Sequence, residues 1–478
     1  MIVLLNPWST PSPKKPLPMS LLALGSMLEG EFDYRIVDGN VTADAAAAVT
    51  HLAGLHRLNA IGMTVMPGPQ LRHAVTLSRV LKARLPDVPI VWGGYFPSQH
   101  ADVVLKDSAI DFCVRGQGEH AFVSLLRVLA KGGSFESVAG LSYRASDGSA
   151  QNNAIAPLAQ LDPLPMWPYH RVQMGHYFHR HYLGRRVGTH HSSYGCPFGC
   201  SFCAVVSIAK RRWVAESPER VGSVLSKLST EYGADAVQFH DMDFFISESR
   251  TLAIADRLRS LGMTWWALGR VDELMRYRNT TWEALTRSRL KMVFCGAESG
   301  STETLLRMNK GGTAAAELTL DLARRMRSYG VVPEFSFVVG NPPDPEGDLR
   351  HTLAFIRRVK AINPASEIVL YVYSPVSDFA FPETLDEWTT DRWQSFSLRR
   401  DPRTPWSPVD IRQRVRNFEI VMNAYYPTVT DTRLTWWRRW VLRGTAAWRY
   451  HLHAHRWPVE LNVLQRLFRY QRPETTGF

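Results

Sequence analysis

Tyr194-Gly195-Cys196-Pro197-Phe198-Gly199-Cys200-Ser201-Phe202-Cys203 holds three of the chain's five cysteines within eight residues. The spacing is C-x3-C-x2-C. A loop carrying three thiolates can hold three irons of a cubane iron–sulfur cluster and leave the fourth iron without a protein ligand. An open iron can bind a small molecule, which turns an electron-transfer centre into a catalyst. Pro197 and Gly199 fit a tight loop whose backbone passes close to sulfur. Two other readings stay open on spacing alone. Zinc sites more often use C-x2-C pairs and need a fourth ligand, which His190 or His191 could supply. A disulfide would leave one thiol over and imply secretion, for which nothing in the sequence speaks.

Around this loop, 478 residues are enough for two or three domains. Apolar content of 45% and charged content of 21% are those of a soluble globular protein. The start, Met1 to Pro7, is apolar but lacks a basic flank and is too short for a signal peptide. No apolar run reaches the ~18 residues of a spanning helix. Few cysteines and no secretion signal predict a cytoplasmic location. The net charge is +12, and nine arginines against Glu460 put +8 of it between Arg433 and Arg472. A charge excess confined to a tail predicts no nucleic-acid groove across the molecule.

Upstream of the loop, residues 1–135 alternate between strands and helices. Strands are predicted at Ile2–Leu5, Tyr34–Val37, Ala60–Val65, Ile90–Trp92 and Phe112–Val114. Helices are predicted at Met19–Glu29, Gln70–Leu85 and from just after Glu119 to about Ala130. This alternation predicts a doubly wound, flavodoxin- or Rossmann-like parallel sheet. Ligands of such sheets bind beyond the carboxyl ends of the strands, where glycines fall here. Residues 136–182, rich in Ser, Asn, Pro and Gly, read as a linker.

The loop itself should follow a first strand at Val187–Ser193. A helix capped by Ser217 should come next. Strands at Ala236–Phe239, Thr264–Ala267, Lys291–Cys295, Glu334–Val339 and Ile368–Val372 complete six. The expectation for 183–385 is a partial (β/α)6 TIM-like barrel, with its working groups at the strand carboxyl ends. Cys113 and Cys295, inside apolar strands, read as buried structural thiols. Trp265 and Trp266 are adjacent, so they cannot both face the barrel lumen.

The cysteine spacing, with Phe202 just before the last thiol, resembles the signature of the radical S-adenosylmethionine (SAM) superfamily. Trp92-Gly93-Gly94-Tyr95-Phe96-Pro97 and Asp111-Phe112-Cys113-Val114-Arg115-Gly116-Gln117-Gly118-Glu119 resemble the cobalamin-binding domain that precedes many such barrels. Gln117 replaces the family's usual glutamate. The D-x-H-x-x-G motif of cobalamin mutases is absent, as it is from many radical SAM relatives. A flavodoxin-like domain that has lost its ligand, or one that only packs against the catalytic domain, remains the alternative for this half. The resemblance implies a [4Fe-4S] cluster on Cys196, Cys200 and Cys203. It implies SAM contacts from Phe202, Asp241, Asp243, Arg270, Glu298, Ser299 and Gly340. For cobalamin it implies Thr64, Val65, Gly93, Gly94, Tyr95, Gly116, Gln117, Gly118 and Glu119. The family's Gly-Gly-Glu segment is replaced by His240-Asp241-Met242-Asp243, an acidic variant of cobalamin-linked members. Gly296-Ala297-Glu298-Ser299-Gly300 is close to the family's G-x-E-S-G.

The implied activity is methylation of an unactivated carbon of a small apolar molecule, such as a lipid, an isoprenoid or a tetrapyrrole-like compound. One SAM would deliver its methyl group by way of cobalamin. A second would yield the 5′-deoxyadenosyl radical that takes a substrate hydrogen. An external donor such as flavodoxin or ferredoxin would supply electrons. A cyclase, oxidase or rearrangement enzyme with the same cofactors and no methyl transfer is the alternative. A zinc-stabilised protein that binds membrane or RNA is a third.

Residues 386–478 read as a helical extension, with helices over Val409–Ala424 and from Asp431 to about Arg449. On the second, Trp437, Trp440, Val441 and Trp448 share one face, and Arg438, Arg439, Arg443 and Arg449 the other. A basic helix with a tryptophan face predicts contact with an anionic membrane surface, here the inner face. A helical cap over the barrel mouth is the alternative. His451, His453 and His455 read as a solvated run or a metal site.

Overall fold

The computed structural model describes residues 1–312, 315–376, 380–390, 409–429 and 434–470. Two parallel sheets dominate it. The first has seven strands: β1 (Ile2–Asn6), β2 (Tyr34–Asp38), β3 (Ala60–Thr64), β4 (Ile90–Gly93), β5 (Phe112–Val114), β6 (Leu141–Arg144) and β7 (Ala150–Asn152). Their order is β2-β1-β3-β4-β5-β6-β7, with β1 to β5 parallel and β6 and β7 antiparallel. The five parallel strands are nearly all buried, as expected of a sheet covered by helices on both faces.

The sheet runs past residue 135, so part of the expected linker belongs to it. Leu141 and Ser142 are buried against β5, and Asp147-Gly148 turns the chain back, with Gly148 at φ +84°. Two helices, Ala45–Leu55 and Tyr95–Val104, lie where the sequence reading placed none.

The second sheet holds β8 (Val187–His190), β11 (Ala236–Phe239), β12 (Thr264–Arg270), β13 (Leu290–Glu298), β14 (Val332–Val339) and β15 (Glu367–Val372), in the order β15-β14-β13-β12-β11-β8. Every pairing is parallel, which gives the open six-stranded barrel expected from the sequence. A short antiparallel pair, β9 (Ser193–Gly195) and β10 (Trp213–Ala215), brackets the cysteine loop. Trp265 packs on the helices outside and Trp266 sits in the lumen with Val187, Ala236 and Met292. Trp266 Nε1 donates to Glu334 Oε2 at 3.3 Å. Cys113 and Cys295 are fully buried.

The domain boundary expected at 385/386 falls inside a short helix, Leu385–Trp388, that packs on the first sheet's domain rather than on the tail. Trp388 meets Phe96 edge-on and stacks on Phe381, and Arg79 pairs with Asp386 at 2.7 Å. Among the described residues three helices follow: Val409–Tyr425, Trp436–His451 and Val459–Leu467. The first lays Ile411, Val415, Phe418 and Met422 on the barrel. The second buries Leu442, Ala446 and Tyr450, one residue per turn, against Ile420, Val421 and Ala424 of the first. The expected start at Asp431 lies outside the described residues. No helix among the described residues is long and apolar enough to cross a membrane.

Candidate functional site

The cysteine loop leaves β9 and is clasped by the segment after the helix Thr302–Arg307. Ser201 N donates to Met308 O (2.9 Å), and Asn309 Nδ2 donates to Gly199 O (2.8 Å). Arg270, at the end of β12, ties the two segments together. Its Nη2 donates to Lys310 O (2.7 Å) and Gly311 O (3.2 Å), its Nη1 lies 3.6 Å from Cys200 Sγ, and its guanidinium stacks 3.7 Å over the Phe198 ring. Asp272 holds Arg270 Nε at 3.0 Å. All five cysteines are free thiols. Burial pushes the Cys196 thiol up to about 12 and raises Cys203 as well. Thiols so buried need compensating positive charge to ionise. Buried Arg270 and Lys310 stand beside them to supply it. The donor set therefore fits a cluster.

It does not fit zinc through His190. That histidine is buried on Glu216 (2.7 Å), whose Oε1 also accepts from Arg220 at 2.9 Å. Burial alone would raise the Glu216 carboxyl, but His190 and Arg220 override it and hold it at about 2. Among the described residues no three His, Cys, Asp or Glu side chains group as ligands of one metal ion do. Cysteines of a cubane each bind a different iron and stand apart.

The strand ends assemble most of the residues expected around SAM. Glu298 closes β13 at φ +65° and reaches Lys310 Nζ at 2.9 Å, and Ser336 Oγ lies 3.4 Å from its Oε2. Gly296 permits this, because a side chain there would run into the Glu298 carboxylate. Asp243 is fully buried, and neither carboxylate oxygen meets a hydrogen-bond donor among the described residues. Burial, then the adjoining Glu273 carboxylate, drives its proton affinity well above the usual carboxylate range. A buried acid pair beside the cysteine loop suits a cationic partner, such as the ammonium group of SAM would be. Phe202 lies 6.0 Å from Lys310 Nζ. Ser299 Oγ accepts from Ser301 N (3.1 Å), and Gly340, at φ +80°, donates its N–H to Asp348 (2.9 Å).

Asp241 departs from expectation. It is completely buried and accepts from Ser192 N (3.1 Å), Ser192 Oγ (2.9 Å) and Ser193 Oγ. Arg250 grips the same segment through Ser192 O at 2.9 Å. Asp241 thus fixes the residues that launch the cysteine loop. Lys310, Glu273 and Ser336 are the site residues that sequence reasoning missed. Lys310-Gly311-Gly312, a cation opening onto a glycine pair, was the available signal.

The residues expected around cobalamin gather at the carboxyl ends of β3, β4 and β5. Gly94 takes φ +95°, and a Cβ there would lie 3.1 Å from Thr64 Oγ1 and 3.2 Å from Val65 N. Val65 N donates to Gly93 O (2.8 Å), and Gly116 N donates to Ser98 Oγ (3.0 Å). Gln117 Oε1 accepts from Ala159 N at 2.8 Å, a role open to the glutamate it replaces. These loops face the cluster loop directly. The helix Val205–Ala209, just past Cys203, packs on Tyr95–Val104, and Gln99 Nε2 donates to Ser207 Oγ at 2.8 Å. The electrostatic influence of Cys203 reaches the Tyr95 hydroxyl, and that of Glu119 reaches the Tyr194 hydroxyl. A flat cofactor held by the first sheet would look onto the cysteine loop.

Comparison with known proteins agrees with this layout. Residues 12–126 match the B12 binding domain and residues 191–356 match the radical SAM superfamily. An uncharacterized methyltransferase of Pyrococcus horikoshii, PH0819, is 28% identical over 346 residues, covering 72% of this chain and 73% of its own length. The anaerobic magnesium-protoporphyrin IX monomethyl ester cyclase of Synechocystis is 23% identical over 329 residues, covering 67% of this chain and 64% of the cyclase. The radical SAM methyltransferase TsrM of Kitasatospora setae, solved with cobalamin and a [4Fe-4S] cluster, superposes with a TM-score of 0.63 at 18% identity, over 77% of this chain and 71% of its own. With both family domains in this order on one chain, the protein belongs to the cobalamin-binding radical SAM enzymes.

Proposed function

We propose that the protein methylates an unactivated carbon of a small apolar molecule. The observation that carries this reading is the direct packing of the cysteine-loop helix on the Gly93-Gly94-Tyr95 helix, which brings both cofactor sites to one junction. The methyltransferase relative supports it. When bound, the cofactors supply a reducing electron, a hydrogen-abstracting radical from SAM and a methyl group. The chain's own residues do the rest. Cys196, Cys200 and Cys203 hold the cluster. Arg270 and Lys310 balance its charge and keep the loop closed. Asp243 with Glu273 receives the SAM ammonium, and Glu298 orients the nucleoside. The loops Thr64-Val65, Gly93-Gly94-Tyr95 and Gly116–Glu119 seat cobalamin over the barrel mouth. Gln99 and Ser207 tie the two domains' loops together at the junction.

The test is product analysis after anaerobic reconstitution with iron, sulfide, cobalamin and a reductant. S-adenosylhomocysteine together with 5′-deoxyadenosine is the expected result. The deoxyadenosine alone would turn the reading to a cyclase, oxidase or rearrangement enzyme, a class that the cyclase relative keeps in view. Neither product would defeat both.

The apolar substrate and a peripheral place at an anionic membrane rest on the tail. Trp436 (80% exposed), Trp440 (74%), Trp448 and Leu452 fall on one four-residue register, with Gly444 at its remaining position, and are exposed. Val459, Val463 and Leu467 do the same on the next helix. The arginines are less free than the sequence suggested. Arg439 donates to Thr428 O (2.8 Å) and Arg449 pairs with Glu460, because three packed helices need their loops tied. The histidines diverge, His451 to the Tyr425 hydroxyl (3.0 Å) and His455 to Arg357 (2.7 Å). Replacing Trp436, Trp440 and Trp448 together by alanine should lower partitioning onto phosphatidylglycerol vesicles by about tenfold or more, since each large apolar side chain contributes on the order of 1 kcal/mol at an interface. Unchanged co-sedimentation would remove the membrane from the account.

A further inference from the structure

The chain leaves the barrel after β15 and comes back to it with the helix Val409–Tyr425, and between the two it crosses to the other domain. The crossing segment is a strap, anchored along its length. Leu385 and Trp388 are buried in the first domain's core. Arg79 holds Asp386 at 2.7 Å through Nη1 and Asp107 at 2.8 Å through Nη2. Arg72 Nε donates to Thr389 O at 3.0 Å. Trp388 Nε1 donates back to Pro382 O at 3.1 Å, which fixes the indole to its own strap.

The strap lands on the helix Tyr95–Val104, at the point where that helix is broken. The backbone leaves helical geometry at His100, with φ −129° and ψ 39°. After the break, Ala101 and Val104 are buried in the core. Before it stand Tyr95, which feels the charge of Cys203, and Gln99, which bonds Ser207 past the cysteine loop. This half-helix is short and contains Pro97, which offers no N–H, so its own hydrogen bonds are too few to hold its direction. An aromatic box surrounds the break. The rings of Phe96, Phe381 and Trp388 lie 5.0, 5.4 and 4.9 Å from the His100 ring, and Trp388 meets Phe96 at 5.1 Å. Burial brings the His100 imidazole down to about 4, so the box closes on a neutral ring. Tilted and edge-on ring contacts are directional, so they fix an angle as well as bury area. Phe381 and Trp388 come from the strap, and the strap continues the barrel's own chain.

Resting on the placement of both cofactors at this junction, we propose that Trp388 is a positioning residue for the reaction. It sets the angle of the Tyr95–Gln99 half-helix against the cysteine loop, and so holds the methyl carrier in reach of the barrel mouth. The linker joins the two domains on one side and the strap clamps them on the other. Radical formation from SAM needs the barrel alone, whereas methyl transfer by way of the carrier needs the two domains in register. Loss of the clamp therefore uncouples the second from the first.

The experiment compares Trp388→Ala and Trp388→Phe in the full chain, reconstituted with iron, sulfide and hydroxocobalamin. Amide hydrogen exchange over residues 95–104 should rise about tenfold in Trp388→Ala while the strands of both sheets keep wild-type protection. The ratio of S-adenosylhomocysteine to 5′-deoxyadenosine should fall about tenfold, since small misplacements of reacting groups cost this much or more. Iron and corrinoid per chain should stay at wild-type levels. Trp388→Phe, which returns a ring to the box, should restore both the protection and the product ratio. Wild-type exchange and an unchanged ratio in Trp388→Ala overturn the proposal. So does a rise in exchange spread evenly through the first domain with loss of corrinoid, which would make Trp388 a core residue only. If Trp388→Ala does not fold, Phe381→Leu leaves the buried indole in place and carries the same expectations and the same overturning results. A wild type that forms no S-adenosylhomocysteine defeats the methylation reading, and the exchange comparison still decides the clamp.

Discussion

Cys200→Ala is expected to yield a folded protein that no longer cleaves SAM. Cys200 is buried under the Lys310 carbonyl and the Arg270 guanidinium, both 3.6 Å from its sulfur. Removing one buried sulfur costs about 1 kcal/mol, a small part of a domain's stability. The loop's backbone ties, Ser201 N to Met308 O and Asn309 Nδ2 to Gly199 O, do not involve the thiol and should survive. A cubane with two protein thiolates in place of three loses its anchoring, so the loss of deoxyadenosine formation should exceed a thousandfold, far beyond what a 1 kcal/mol change can give. The check is threefold: circular dichroism and melting temperature for the fold, iron per chain for the cluster, and mass spectrometry for the nucleoside. Cleavage that persists near the wild-type rate would sink the cluster assignment. A collapsed melting curve would call for Cys200→Ser before the result is read.

The cysteine loop was legible because its chemistry dictates both residue type and spacing. The parallel strands were legible because apolar runs buried on both faces leave few other options. What escaped was decided by tertiary contact. The β6–β7 hairpin is half polar and lies at the sheet's edge, so its Ser, Asn and Gly content reads as linker although Asp147-Gly148 is a turn signal. The helix Tyr95–Val104 begins at Gly94 and contains Pro97, both of which argue locally for a loop. Asp241 has the residue type and place expected of a SAM contact. Only the folded chain reveals Ser192 and Ser193 across from it, forty-nine and forty-eight residues away, taking its carboxylate. Lys310 meets Glu298 over a separation of twelve residues but touches the Cys200 loop over one hundred and ten, which no local pattern announces.

Arg270 is the residue through which those distant pieces act on one another, and Arg270→Met should show it. Methionine keeps the length and apolar volume of the stem but removes every donor. Asp272 then loses its buried partner and keeps only the mostly exposed Arg276 at 3.1 Å. Leaving a buried carboxylate half-paired costs about 3 kcal/mol, enough to lower the melting temperature by several degrees in a domain of this size. The site should lose more than the fold does. Without the guanidinium, nothing stacks on Phe198 or bridges Cys200 to the Lys310 and Gly311 carbonyls, and only the Ser201 and Asn309 ties keep the loop from opening to water. Iron per chain should fall well below wild type even in samples held far under the melting temperature, and the remaining cluster should bleach faster in air. Arg270→Lys separates the two roles. A lysine can keep the charge beside Asp272 but cannot donate in a fork to two carbonyls and lie flat on an aromatic ring. It should therefore recover most of the stability while the electron paramagnetic resonance spectrum of the reduced cluster stays altered. If Arg270→Lys restores both, the residue acts by charge alone. If Arg270→Met retains a full complement of iron with an unaltered spectrum, the clasp has no part in holding the cluster.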